Sequence, residues 1–238
     1  MIRRTVLLQP HLLMLALLAP LSAHAQYLEP GMRPAEISRF FSAGASFRQF
    51  VPRSGHPLGP DAISYHAVMP TLGLRQGPVE FLAAYGRYER EGESHEAILA
   101  AATFAMEFPL AGGPRYPLRG LVLLTTDYTK SEAPGPGREA FNVASLGVGA
   151  GMAYRTSGRS VQVALSAAAS AQYSFEGFRT GSGFSPLLMG DAVVALPGVP
   201  VLDGLVAGYR LRWQQWSMSD DRLRYRSLFH GPWLGVSF

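Results

Sequence analysis

Apolar and polar side chains alternate along much of this chain with a period of two. The clearest run covers residues 160–176. Val161, Val163, Leu165, Ala167, Ala169, Ala171, Tyr173 and Phe175 fall on one face, and Ser160, Gln162, Ser166, Ser170, Gln172, Ser174 and Glu176 on the other. Such alternation marks a β-strand. At about 3.3 Å per residue the run would exceed roughly 50 Å, far beyond the usual strand of a globular sheet. It is long enough to cross a bilayer at a tilt. Looser versions predict ten strands in all, near 38–51, 62–75, 78–91, 94–109, 116–130, 139–155, 159–177, 184–197, 203–217 and 222–238. The breaks between them carry turn residues, as at Gln76-Gly77-Pro78, Gly112-Gly113-Pro114 and Pro197-Gly198.

The pattern also assigns faces. Phe41, Ala43, Ala45 and Phe47 share one face of the first strand. Val79, Phe81, Ala83 and Tyr85 do so on the third, Ile98 to Phe108 at every second position on the fourth, and Leu205 to Trp213 on the ninth. The opposite faces hold Glu80, Glu107, Asp191, Arg210, Arg212 and Gln214 among many Gly, Ala and Ser residues. If the apolar face is outermost, Glu80, Glu107, Asp191, Arg210 and Arg212 form a lumen charge network, because unpaired buried charge is costly. The second, fifth and sixth strands alternate poorly, which leaves their faces open.

Before the strands lies a different signal. Met1-Ile2-Arg3-Arg4 is basic, Leu12–Leu18 is densely apolar, and Ala23-His24-Ala25 is small-x-small ahead of Gln26. This is the layout of a secretory signal peptide cleaved after Ala25. The expected organisation is a signal peptide over 1–25, a short periplasmic lead-in over 26–37, and one barrel over 38–238. Only 16% of residues are charged and none is cysteine, which excludes a disulfide scaffold and a thiol nucleophile. The leader carries two of the excess cations, so the net charge of +4 falls by two on cleavage and gives little reason to expect nucleic acid as a partner.

The chain ends Leu234-Gly235-Val236-Ser237-Phe238. A terminal Phe with apolar residues two and four positions earlier resembles the closing strand of bacterial outer-membrane β-barrels. The resemblance implies an all-β, closed antiparallel transmembrane barrel, of ten strands or of eight as the smaller alternative, in the outer membrane of a Gram-negative bacterium. It also implies that Leu234, Val236 and Phe238 act as an assembly signal for the barrel-assembly machinery. Pro232 departs from the pattern by removing a ladder N–H. Physics favours closure independently, because hydrocarbon leaves no backbone group unpaired. Aromatic girdles are then expected, with Phe47, Tyr65, Tyr85, Tyr128, Phe141, Tyr173, Phe175, Trp213 and Trp216 at one interface and Phe41, Phe108, Tyr116, Tyr154 and Phe238 at the other. A soluble periplasmic β-sandwich or ligand-binding barrel would use the same alternation with the apolar face turned inward. Strand length and the terminal Phe favour the membrane form.

The candidate chemistry is sparse. Ten strands enclose too little space for a wide diffusion pore. The expected role is structural or adhesion-type, or a narrow porin-like channel for small solutes, with no enzymatic activity and no cofactor. The enzymatic alternative is a lipid-modifying outer-membrane protein using Ser64 and His66, which period two places on one face. The histidines show no metal-ligand spacing. Gly147, Gly149 and Gly151 read as small lumen-facing residues. Arg222, Arg224 and Arg226 fall on one face of the last predicted strand, by parity the lipid-facing one. Such a ladder would contact lipopolysaccharide phosphates, since a guanidinium binds phosphate bidentately. Membrane lipid and lipopolysaccharide are therefore the expected partners.

Overall fold

The computed structural model describes residues 39–59, 62–90, 92–110, 118–132, 140–156, 160–176, 181–198 and 203–238. The predicted signal peptide, the lead-in and Tyr116 lie outside these residues. The strands are β1 (Arg39–Pro52), β2 (Tyr65–Gln76), β3 (Val79–Arg90), β4 (Glu93–Pro109), β5 (Leu118–Ser131), β6 (Phe141–Arg155), β7 (Gln162–Phe175), β8 (Ser182–Pro197), β9 (Gly204–Gln215), the two-residue β10 (Ser217–Met218) and β11 (Tyr225–Ser237). Every pairing is antiparallel. Consecutive strands β1 to β9 pair in order, β9 pairs with β11, and β11 pairs with β1. Among the described residues ten strands thus close into a ring, and β10 is a spur on β8.

The ring is sheared. Partners followed across the strands run Ala43, Leu72, Ala83, Ala100, Tyr128, Ala144, Phe175 and Ser182. The path begins near the start of β1 and reaches the opposite rim at β8. This is the stagger that tilted strands need in order to close. Both chain ends of the barrel lie on one rim, with the turn around Gly77 and the ends of β4, β6 and β8. Gly77 has φ 58° there, the positive value that its tight hairpin turn demands. The other rim carries the ends of β1, β3, β5, β7 and β9, with the described loop residues 53–59 and 216–224.

Alternation decides the walls. On β1, Phe40, Ser42, Ser46, Arg48 and Phe50 are buried, whereas Phe41, Ala43, Ala45 and Phe47 are exposed. The same holds on β7, where Ser170, Gln172 and Ser174 face in and Leu165, Tyr173 and Phe175 face out. Gly147, Gly149 and Gly151 face the lumen, where a side chain would run into the β7 backbone. The outer wall is apolar to an unusual degree, with Leu234 71%, Val148 66% and Phe184 65% exposed. The strands with unclear parity resolve as well. Asp127, Thr125 and Thr129 of β5 point in, and Val68, Leu72 and Leu74 of β2 point out.

Three outward-facing prolines mark places where the ladder breaks. The β2–β3 ladder runs from Gln76↔Val79 to Thr71↔Ala84 and stops at Pro70, although both strands continue. The β8–β9 ladder stops at Pro186, leaving β10 to pair with Phe184 and Gly183. The β1–β11 ladder passes Gly44↔Trp233 and resumes only at Phe47↔His230, while β9 pairs with β11 straight through Pro232. Proline lacks the N–H that one neighbour needs. The departure at Pro232 therefore affects one seam and spares the other.

Candidate functional site in the barrel lumen

The inward side chains form three levels. At the loop-side rim, Phe50, Tyr65, Tyr88, Phe141, Trp216 and Tyr225 fill the lumen. Phe50 stacks on Tyr225 with centroids 4.8 Å apart and meets the edge of Phe141 at 5.1 Å, and Tyr65 stacks on Tyr88 at 4.1 Å. Phe50 and Trp216 have no exposure. Each phenol is satisfied. Tyr225 Oη accepts from the Ile63 N–H at 3.2 Å, Tyr65 Oη shares a hydrogen bond with Ser131 Oγ at 2.8 Å, and Tyr88 donates to the Glu132 carbonyl. Loop 53–59 folds over this level, with the Arg53 N–H donating to the Arg224 carbonyl at 3.0 Å. His56 Nε2 lies 3.0 Å from the Arg222 carbonyl. Tyr65, Phe141 and Trp216 were expected in the girdle; the structure turns them inward. The outward girdle at this rim is Phe47, Tyr85, Tyr128, Tyr173, Phe175 and Trp213, and at the other rim Phe41, Phe108, Tyr154 and Phe238.

The middle level is a hydrogen-bonded amide and carboxylate cluster. Asp127 accepts from Gln172 Nε2 at 2.8 Å and from Gln214 Nε2 at 3.2 Å, and Gln214 Nε2 also reaches Gln172 Oε1 at 2.7 Å. Arg212 lies 3.7 Å from Asp127. Beside them Thr125 pairs with Ser170 and Ser145 with Ser174, each at 2.8 Å. Arg48 crosses the lumen, donating to Ser227 Oγ at 3.2 Å and to the Ile98 carbonyl at 3.3 Å.

The terminus-side level holds most of the remaining charge, in two groups. Arg210 bridges Asp191, at 3.0 Å, and Glu80. Glu107 pairs with Arg155 and lies 4.0 Å from Arg75 and 3.9 Å from Arg119. A cavity of about 100 Å³ lies between the groups, lined also by Phe40, Leu82, Leu121 and Trp233. Arg210 sits 5.9 Å from the Trp233 ring, which stacks on Phe40. The expected single network is therefore three clusters. Glu80, Asp191 and Arg210 come together. Glu107 binds three arginines that the sequence reading missed, and Arg212 turns to Asp127, also missed. The signal for Arg75, Arg119 and Arg155 was their place on strand ends, which is ambiguous without parity.

Two further site expectations fall differently. Ser64 and His66 are exposed, Ser64 just before β2 and His66 on its outer face, where it pairs with Gln49 in the β1–β2 ladder. The three arginines do not form a strand ladder. Asp220 caps a 3₁₀ turn over Asp221–Leu223, so Arg222 lies in the turn and Arg224 follows it, and β11 begins only at Tyr225. Arg222 donates to Asp220 at 2.9 Å, and Arg224 pairs with Asp221. Asp220 is held below the usual carboxylate range by those Arg222 hydrogen bonds. Arg226 alone of the three stands on the outer face of β11, beside Leu228. Leu234, Val236 and Phe238 line the same face toward the terminus-side rim.

The arrangement braces a closed lumen. It brings together buried acids with arginines and amides. No family model matches the chain, and no curated protein matches it. Solved structures do. Neisserial surface protein A is similar at 18% identity and a TM-score of 0.33, over 84% of this chain and 97% of its own. The N-terminal β-barrel domain of Pseudomonas aeruginosa OprF is 13% identical at a TM-score of 0.27, over 83% and 97%. Ail, the attachment invasion locus protein of Yersinia pestis, is 12% identical at 0.25, over 84% and 97%. The closed antiparallel barrel is defined by this chain's own strand pairing.

Proposed function

We propose that this chain is an outer-membrane β-barrel with a structural or adhesion-type role, and that it does not conduct. The apolar outer wall between two aromatic girdles supports a bilayer as its surroundings; a soluble barrel would bury that face. With the predicted leader, the terminus-side rim faces the periplasm and the longer loops face outward. The observation that carries the non-conducting reading is the rim level of Phe50, Tyr65, Tyr88, Phe141, Trp216 and Tyr225, buried and packed ring on ring across the lumen. The charged levels below it then serve to brace the wall, and the cavity beside Arg210 is a pocket rather than part of a pore. Leu234, Val236 and Phe238 are proposed as the features the assembly machinery reads.

Planar-bilayer recording tests this. The wild-type barrel is expected to give no steady single-channel current, and a Phe50→Ala, Trp216→Ala variant to give one. Ohmic current from the wild type overturns the reading. Membrane fractionation with a heat-modifiable gel shift tests the location independently.

A further inference from the structure

Next to the loop-side girdle, on the terminus side of Phe47, the outer wall carries a hydrogen-bonded polar pair. Tyr209 of β9 and His230 of β11 both point outward, and Tyr209 Oη lies 2.5 Å from His230 Nδ1. Other outward polar residues, such as His66, Lys130 and Gln215, stand near the loop-side ends of their strands. His230 instead pairs across to Leu211 and Phe47, with Leu228 and Pro232 above and below it on the same face. Its ring is 5.8 Å from that of Phe47.

In hydrocarbon such a pair has an unmet demand. If the phenol donates to Nδ1, the imidazole carries its proton on Nε2 and has a donor to spare. If Nδ1–H donates to the phenol oxygen, the phenol O–H is the spare donor. Either tautomer presents one donor and one acceptor to acyl chains that offer neither, and an unpaired polar group there is costly. Two outward positions toward the loops stands Arg226, exposed and without an ion-pair partner among the described residues. Four residues of strand separate them by roughly 13 Å. From His230 toward the terminus-side rim, small side chains flank β11 on both sides. Ala43 and Ala207 pair with Leu234 from either side, and Ala45 and Pro232 are also small and outward.

We infer that the outer file of β11 is a binding site for one lipid of the outer leaflet, a phosphorylated, multiply acylated glucosamine lipid of the lipid A class. The inference rests on the membrane reading above. Arg226 takes a phosphate at head-group level. The Tyr209–His230 pair takes an ester or amide set deeper, as an acyloxyacyl chain provides and a glycerophospholipid does not. An acyl chain lies along Ala43, Ala45, Ala207 and Pro232. This assigns the lipid contact to Arg226, Tyr209 and His230, and releases Arg222 and Arg224 to the loop.

The test refolds the full barrel into phosphatidylcholine nanodiscs containing lipid A or, separately, phosphatidylglycerol. Native mass spectrometry then counts the lipid retained. Wild type should retain lipid A. His230→Phe, Tyr209→Phe and Arg226→Gln should each reduce retention by roughly fivefold, as loss of one hydrogen bond implies. Both aromatic variants keep a ring, and a heat-modifiable gel shift reports whether each has folded. Phosphatidylglycerol retention should not respond to His230→Phe. Unchanged lipid A retention in folded His230→Phe overturns the site. So does an equal loss of phosphatidylglycerol, or a wild-type dimer that His230→Phe splits, which would make a second copy the occupant. A folded chain that stays soluble without detergent and never enters the discs defeats the membrane reading instead.

Discussion

Replacing Asp127 by Ala should be the most damaging single change at the middle of the lumen. The carboxylate is fully buried and lies 3.7 Å from Arg212, itself 8% exposed in its side chain. At that distance and an effective dielectric near 20, the attraction is about 4 kcal/mol. Asp127→Ala leaves the Arg212 charge buried without its counter-ion, for which about 3–5 kcal/mol is the usual penalty. Gln172 and Gln214 keep their bond to one another at 2.7 Å, which limits the further loss. Removing the exposed partner Asp221 from Arg224 should cost less than about 1 kcal/mol. Guanidinium unfolding of the refolded barrel in lipid vesicles, followed by tryptophan fluorescence, measures both. The double change Asp127→Leu, Arg212→Met should recover much of what Asp127→Leu loses, because it removes both charges. A cost below about 1 kcal/mol for Asp127→Ala, or a double variant no more stable than the single, would refute the buried-pair argument.

Acid should loosen the loop before the barrel. The folded-state pKa of Asp220 is depressed by Arg222, so its contribution is present above the ordinary carboxylate range and is lost as pH falls through the depressed value; limited proteolysis across pH should show cutting near 219–224 rise in acid, and Asp220→Asn should abolish the dependence. Glu132, depressed by the Glu96 N–H and by Lys130, should behave likewise in its own loop. Deleting Phe238 removes roughly 2–3 kcal/mol of apolar burial and the proposed assembly signal, so the folded membrane fraction in cells should fall sharply, while refolding in vesicles should suffer less. Ser64→Ala should leave stability within about 0.5 kcal/mol and leave any phospholipid or lipid A turnover of the preparation unchanged; loss of turnover would revive the enzymatic reading.

Much of the barrel was legible because one face of each strand is apolar and the other polar. All ten strands of the ring were placed, with ends shifted by at most three residues, and the outward sets on β1, β3, β4, β7 and β9 stand as read. Legibility failed where both faces have similar polarity. In Leu123-Leu124-Thr125-Thr126-Asp127-Tyr128 the pattern alone does not say which Thr faces in, so Asp127 was missed. Aromatics failed for another reason. A Tyr at a strand end can mark the membrane interface or plug the lumen, and Tyr65 and Tyr85 differ only in parity. The arginine ladder failed because Asp220 captures the segment in a 3₁₀ turn, a local hydrogen bond that period-two reasoning does not weigh.

The proline breaks have a mechanical consequence. The β1–β2 hairpin is laddered internally from Arg39↔Gln76 to Phe50↔Tyr65, but each of its outer seams is interrupted, at Pro232 on one side and above Pro70 on the other. It is a stave fastened more firmly to itself than to its neighbours. Under load the wall should part along those two seams and release the stave as a unit, so hydrogen exchange should reach Tyr65–Met69 and Tyr85–Arg90 before it reaches the fully laddered β5–β6 hairpin on the other side of the ring.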